Sequence, residues 1–285
     1  MIRLQDLTVA DVMTPGARCV DQGCTAVGAA SFLLGDGITG APVVDAEGGL
    51  LGVISITDLL GLLVAGFEES RRDPEAVHDS GRIHVGEVLR RSPVTCTEET
   101  SLLRACQTMV RERVHRLVVV RDGATVGVLS AIDLVRALAA LGERAALSPA
   151  AEEPRVQDWM SDSLVVLGPD EPAASALERM AEERVRHLLV AERGALLGIV
   201  SDRDLVRATT GLRLDFHEHT VREIMTPTPL HTIGPHETLA DAAEAMLRHG
   251  VSALPVVDRD GLLGLITSRD ILCSVRARRA AVAAG

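Results

Sequence analysis

The chain has 285 residues, a formal net charge of −11, 47% hydrophobic residues and 1% aromatic ones, namely Phe32, Phe67, Phe216 and Trp159 with no Tyr. An acidic chain with so few aromatic faces does not fit a nucleic-acid partner, which needs a positive field and, for single strands, several stacking platforms. The core must therefore come from Val, Leu, Ile, Ala and Met, and the longest apolar runs, such as Leu59 to Phe67, are too short and too Gly-broken to span a bilayer. All 29 basic residues are Arg, with no Lys and no Asn, a usage that fits GC-rich bacterial coding DNA. Cys19, Cys24, Cys96, Cys106 and Cys273 are scattered without a CxxC pair. That pattern fits a reduced, cytoplasmic chain better than a disulfide framework or a zinc site. The first residues carry no long apolar run, so neither a leader peptide nor a membrane partner is expected.

In chain order, one pattern recurs four times. It opens at Met13, Leu89, Met160 and Met225, and 25 or 26 residues later a short apolar strand begins at Ile38, Val114, Val185 and Val251. Each strand is followed by a Gly-containing turn, a second apolar run and Gly-x-x-Ser/Thr-x-x-Asp, ending at Asp58, Asp133, Asp204 and Asp270. From strand start to Asp is 20 residues in the first copy and 19 in the others, the extra residue falling in the turn Ala46-Glu47-Gly48-Gly49. Such a fixed register identifies an internal repeat. The repeats span 7–66, 83–140, 154–210 and 219–275.

The fourth copy shows the element order. Leu239, Ala242, Ala243 and Met246 line one helix face, and Gly250 stops that helix. Ala253–Val257 and Leu262–Ile266 read as a hairpin around Asp258-Arg259-Asp260-Gly261, and Thr267 opens a second helix as its N-cap. Each repeat is thus β-α-β-β-α, an α/β (α+β) fold. Leu33, Met109, Met180 and Met246, five residues before each strand, are core filler. Glu68–Ser80 and Gly142–Pro154 read as linkers, the second as a boundary between modules 1–141 and 154–275, and the tail after Ser274 is expected to fray.

These residues resemble the cystathionine-beta-synthase (CBS) domain family over about residues 7 to 275. The resemblance rests on Met-Thr-Pro at 13–15 and 225–227, on Val251 to Asp258, and on Gly-x-x-Ser/Thr-x-x-Asp four times in register. Four such domains imply two Bateman modules with pseudo-twofold pairing. The layout is also similar to the gamma subunit of the AMP-activated protein kinase, whose His-Arg-hydrophobic stretch His115-Arg116-Leu117 matches.

Ser/Thr with an acidic residue three positions on is also capping-box spacing, and it sets a negative charge at the positive end of a helix. A capping box usually employs the longer Glu or Gln, whereas all four copies carry Asp. The resemblance implies instead that Asp58, Asp133, Asp204 and Asp270 take ribose hydroxyls, while Ser55, Ser130, Ser201 and Thr267 at helix N-termini meet phosphate. It implies further that the Asp of one copy faces the strand start of its neighbour. Asp58 would meet Val114, His115 and Arg116; Asp133 would meet Ile38, Thr39 and Ala41; Asp204 would meet Val251, Ser252 and Ala253; Asp270 would meet Val185, Arg186 and His187. Arg203 and Arg269, immediately before their Asp residues, suit phosphate and make the second module the better armed, with the Asp133 site the poorest in basic groups. His217 and His219 lack a third ligand, so no metal is expected.

The expected function is regulatory binding of an adenosyl ligand (AMP, ADP, ATP, NAD or S-adenosylmethionine), read by an unidentified regulated protein, with a homodimer compatible with the layout. No P-loop, nucleophile elbow or metalloprotease signature is present, so no enzyme is expected. The alternative is a constitutive scaffold whose sites have degenerated.

Overall fold

The computed structural model describes residues 4–62, 83–141, 154–212 and 216–284. The linker read at 68–80, and that at 142–154 apart from Pro154, lie outside these residues. Each repeat forms the expected β-α-β-β-α unit. In repeat 1 it is Val20–Asp21, helix Ala26–Gly35, Gly40–Val44, Leu50–Ser55 and a helix over 56–62. Repeat 2 follows as Thr95–Cys96, Leu102–Glu112, Arg116–Arg121, Ala124–Ser130 and Ala131–Leu141. Repeat 3 is Val166–Leu167, Ala173–Glu183, His187–Glu192, Ala195–Ser201 and Asp202–Arg207. In repeat 4 the first strand shrinks to a bridge from Ile233 to Val256, followed by Leu239–His249, Ala253–Asp258, Gly261–Thr267 and Ser268–Ala284.

Local chemistry explains these boundaries. Thr25, Ser101 and Thr238 cap their helices, each hydroxyl accepting a backbone N–H one turn in. Gly250 ends its helix in the left-handed region (φ 66), as the sequence predicts. Every hairpin shifts register at the same place, after Val43, Val119, Val190 and Val256. The tail expected to fray is instead helical through Ala284, in keeping with the helix propensity of its Ala and Arg residues.

Consecutive repeats exchange their opening strands. Thr14–Pro15, which opens repeat 1, is the edge strand of the repeat 2 sheet, and Arg90–Arg91 is the edge of the repeat 1 sheet. Thr226–Pro227 likewise edges the sheet of repeat 3, while Ser161 bridges to Leu265 in repeat 4. The motif glycine makes this approach possible. A Cβ on Gly264 would lie 2.6 Å from the Met160 sulfur and 2.9 Å from the Ser161 carbonyl; Gly127 and Gly198 meet Met13 and Met225 in the same way. Gly264→Ala must push the opening strand aside, and we expect a loss of about 1–3 kcal/mol, the usual cost of overpacking, in a urea unfolding curve.

The chain divides into two compact units that are not the contiguous modules 1–141 and 154–275. One comprises residues 18–93 and 165–230, the other 1–17, 94–164 and 231–285. This corrects the contiguous division, and helix packing is the reason. In the first unit, Leu33, Ile54 and Leu59 of repeat 1 share one core with Met180, Leu188 and Leu205 of repeat 3. In the second, Leu272 and Val275 of the last helix enter the core around Leu102, Met109 and Leu134, while Val135 joins the core around Met246 and Ile266. The predicted core stripe Leu33, Met109, Met180 and Met246 is buried throughout.

Candidate functional site

The same local arrangement stands at the second helix of every repeat. The residue after the motif Ser/Thr donates its N–H to the carbonyl of the residue following the strand-start Ile or Val. These bonds are Ile56 to Thr39 (3.1 Å), Ala131 to His115 (2.9 Å), Asp202 to Arg186 (3.1 Å) and Ser268 to Ser252 (2.9 Å). They hold the strand start against the helix N-terminus. The family resemblance implies that each strand start faces the Asp of the neighbouring copy; the hydrogen bonds seen here join it to the motif of its own repeat. Ile38, Val114, Val185 and Val251 are half-buried there, each packed against a core. Ala41 and Ala253 point into the interior (1% and 6% exposed), so their side chains are packing groups.

The motif carboxylates share one geometry. The Asp58 Oδ2 accepts the Ser55 N–H at 3.0 Å and its hydroxyl at 2.5 Å. The Asp204 Oδ2 accepts the same two groups of Ser201 at 2.9 and 2.6 Å, and the Asp270 Oδ2 those of Thr267 at 2.8 and 2.6 Å. Asp133 takes the Ser130 N–H at 2.9 Å together with the Ser130 hydroxyl. The acid half of a capping box is therefore present in all four repeats, even with the short acid, and in repeats 1 and 3 the hydroxyl also accepts the Asp N–H at 3.3 Å. An ionised carboxylate has about four acceptor positions, and capping occupies only the two on Oδ2. The Oδ1 atoms carry whatever further chemistry the motif has.

The basic residues divide. The Arg186 Nε donates to the Asp202 Oδ2 at 2.9 Å, and the Thr57 hydroxyl of repeat 1 donates to the same oxygen at 2.7 Å. Asp202 is 3% exposed. Burial alone would raise its pKa, but Arg186 and Thr57 more than offset that and hold it below the ordinary carboxylate value. Arg203 donates to the Gly37 carbonyl of repeat 1 at 3.2 Å. Two arginines chosen as phosphate ligands, Arg186 and Arg203, thus already bind protein in the first unit. Burial draws the His187 imidazole down to about 4, so at neutral pH it offers hydrogen bonds rather than charge. The chemistry of Asp202 was not foreseen. Its sequence signal is an acidic residue directly after the motif Ser, where the other copies have Ile56, Ala131 and Ser268. Among the described residues no cluster of three or more His, Cys, Asp or Glu is placed to hold a metal. His219 instead sits 2.6 Å from the Glu223 carboxylate. Among the described residues no helix is long and apolar enough to cross a membrane.

A family model for the CBS domain matches residues 9–65, 85–140, 156–211 and 221–276, and the chain belongs to that family. It is 31% identical to the CBS domain-containing protein YhcV of Bacillus subtilis over 116 residues, which are 41% of this chain and 81% of YhcV. It is 28% identical over 195 residues to MJ1225 of Methanocaldococcus jannaschii, covering 63% of this chain and 66% of that protein. A match to inosine-5'-monophosphate dehydrogenase of Korarchaeum cryptofilum covers only 23% of the enzyme. Among solved structures, MJ1225, proposed as an archaeal homologue of γ-AMPK, superposes with a TM-score of 0.81 at 22% identity over 94% of this chain and 99% of its own. A conserved Pyrococcus horikoshii protein superposes with a TM-score of 0.63 at 23% identity. These structural likenesses establish the tandem four-domain CBS fold.

Proposed function

We propose that this chain is a regulatory, cytoplasmic protein that binds an adenosyl ligand and signals its occupancy to a partner protein through a change in the geometry of its repeats. The ligand is AMP, ADP or ATP first, with NAD and S-adenosylmethionine in the same chemical class. Asp58, Asp133, Asp204 and Asp270 take the ribose hydroxyls. Ser55, Ser130, Ser201 and Thr267, at the positive end of their helices, face phosphate. Arg116, Arg186, Arg203 and Arg269 are the local cations set against the net charge of −11, and the imidazoles of His115 and His187 add hydrogen bonds. The base rests on Ile38, Val114, Val185 or Val251 and on the backbone of Thr39 and Ser252. No reaction is catalysed, and a homodimer is compatible with the reading.

One observation carries this proposal. The hydroxyl–carboxylate pair recurs four times against the same strand carbonyl, with a half-buried apolar residue beside it. A capping role needs neither the strand nor its apolar start. The saturation of Oδ2 by capping favours a second reading, the constitutive scaffold. A thermal-denaturation panel separates the two, because a ligand at 100 times its Kd adds about 2.7 kcal/mol to the folded state. The proposal expects AMP or ATP at millimolar concentration to raise Tm, with inorganic phosphate alone ineffective. No shift with any adenosyl ligand returns the chain to the scaffold reading.

A further inference from the structure

We infer that the four ribose sites fall into two classes, with repeats 1 and 4 open and repeats 2 and 3 held closed by an arginine one helical turn beyond the Asp. The inference rests on the nucleotide reading above and says which sites a ligand fills first. The observation is the partner of Oδ1. In repeat 2, the Arg136 Nη1 donates to the Asp133 Oδ1 at 2.8 Å, and in repeat 3, the Arg207 Nη1 donates to the Asp204 Oδ1 at 3.3 Å. The corresponding positions in repeats 1 and 4 are Gly61 and Cys273, which cannot form that pair.

Lone-pair counting gives the consequence. With Oδ2 filled by the motif N–H and hydroxyl, Oδ1 offers two acceptor positions, as many as a ribose diol has hydroxyl donors. Arg136 and Arg207 each take one of them. A diol arriving at Asp133 or Asp204 must displace a guanidinium or bind through one hydroxyl. Asp133 is also the buried member of the four, at 6% exposure. At Asp270 no cation stands one turn on, and burial raises its pKa against the opposing pull of Thr267 and Arg269. Hydroxyl donors on Oδ1 would stabilise the ionised form that burial disfavours. The division cuts across the expectation that the second module is the better armed for phosphate, since it separates repeat 4 from repeat 3.

The lock is an exposed i,i+3 pair, with the two arginine side chains 61% and 62% accessible, so its strength is that of a surface ion pair. Releasing it corresponds to about two- to fivefold in affinity. The test is calorimetric titration of the full chain with adenosine, which has the diol and no phosphate. In an Asp58→Ala/Asp270→Ala background only repeats 2 and 3 remain, and adding Arg136→Ala/Arg207→Ala is expected to tighten adenosine by about two- to fivefold. Conversely, Gly61→Arg in an Asp270→Ala background installs the lock at repeat 1 and weakens adenosine there. A Cβ at Gly61 meets nothing within 4 Å, so this variant keeps its fold. Unchanged or weaker adenosine binding after removal of the arginines overturns the inference. A larger loss for AMP than for adenosine would make them phosphate ligands instead. If the unaltered chain binds neither adenosine nor AMP, the nucleotide reading itself is what fails, and the two classes fall with it.

Discussion

Asp270→Ala and Asp58→Ala are each expected to weaken AMP binding at their own repeat by about ten- to a hundredfold. A charge-assisted hydrogen bond contributes about 1.5–3 kcal/mol, and a diol on Oδ1 makes two weaker, shared ones. The same substitutions remove a capping carboxylate, which costs about 1 kcal/mol of stability whether or not a ligand exists. The two effects are separable because they appear in different measurements. Capping loss lowers Tm in the absence of nucleotide. Ribose recognition lowers affinity in calorimetry and reduces the ligand-induced rise in Tm. A variant with lower Tm and unaltered affinity would leave Asp270 a cap and nothing more. Asp270→Asn is the informative companion, since the amide keeps one acceptor oxygen and is expected to fall between wild type and Ala.

The second large effect concerns stability. Asp202→Ala is expected to destabilise the unit formed by repeats 1 and 3 by about 2–3 kcal/mol in urea denaturation. Removing the carboxylate leaves the Arg186 guanidinium without its partner and the Thr57 hydroxyl without its acceptor, 2.9 and 2.7 Å away. The loss stays below the figure for a fully buried pair because the Arg186 side chain keeps 24% exposure. Thr57→Val removes one hydrogen bond and should cost about 1 kcal/mol. The pH dependence follows from the lowered folded pKa. Above 3.8 the ionised carboxylate contributes fully, and its contribution disappears as pH falls through the lower folded value. In Asp202→Ala that part of the acid sensitivity should vanish. A loss under about 0.5 kcal/mol would mean that Arg186 finds an equivalent partner.

Much of this architecture was legible in the residues. The four registers gave the element order because a fixed spacing of glycine, hydroxyl and acid can recur only if each repeat folds alike. The apolar face through Leu239, Ala242, Ala243 and Met246 is the buried face observed. The compact units were not legible. Both helices of a repeat carry apolar residues that no neighbour in sequence is obliged to cover, and whether repeat 1 shares them with repeat 2 or repeat 3 depends on shape complementarity over more than a hundred residues of separation. Strand exchange was hidden for a related reason. Met13 and Gly127 were both conspicuous, yet only their packing shows why a side chain on that glycine is excluded. At the site, hydroxyl and carboxylate were found from spacing alone. The partners of Arg186 and Arg203 were missed because they are Asp202 and a bare carbonyl at Gly37, neither of which stands out as a ligand.

The central claim is that the motif carboxylate recognises a ribose. A crystal structure of the full chain grown with AMP tests it most directly. The account predicts nucleotide at repeats 1 and 4, with ribose hydroxyls within hydrogen-bond distance of the Asp58 and Asp270 Oδ1 atoms and phosphate against the helix start at Ser55 and Thr267. AMP bound away from all four motif carboxylates, or with its ribose turned away from the carboxylate beside it, would contradict it.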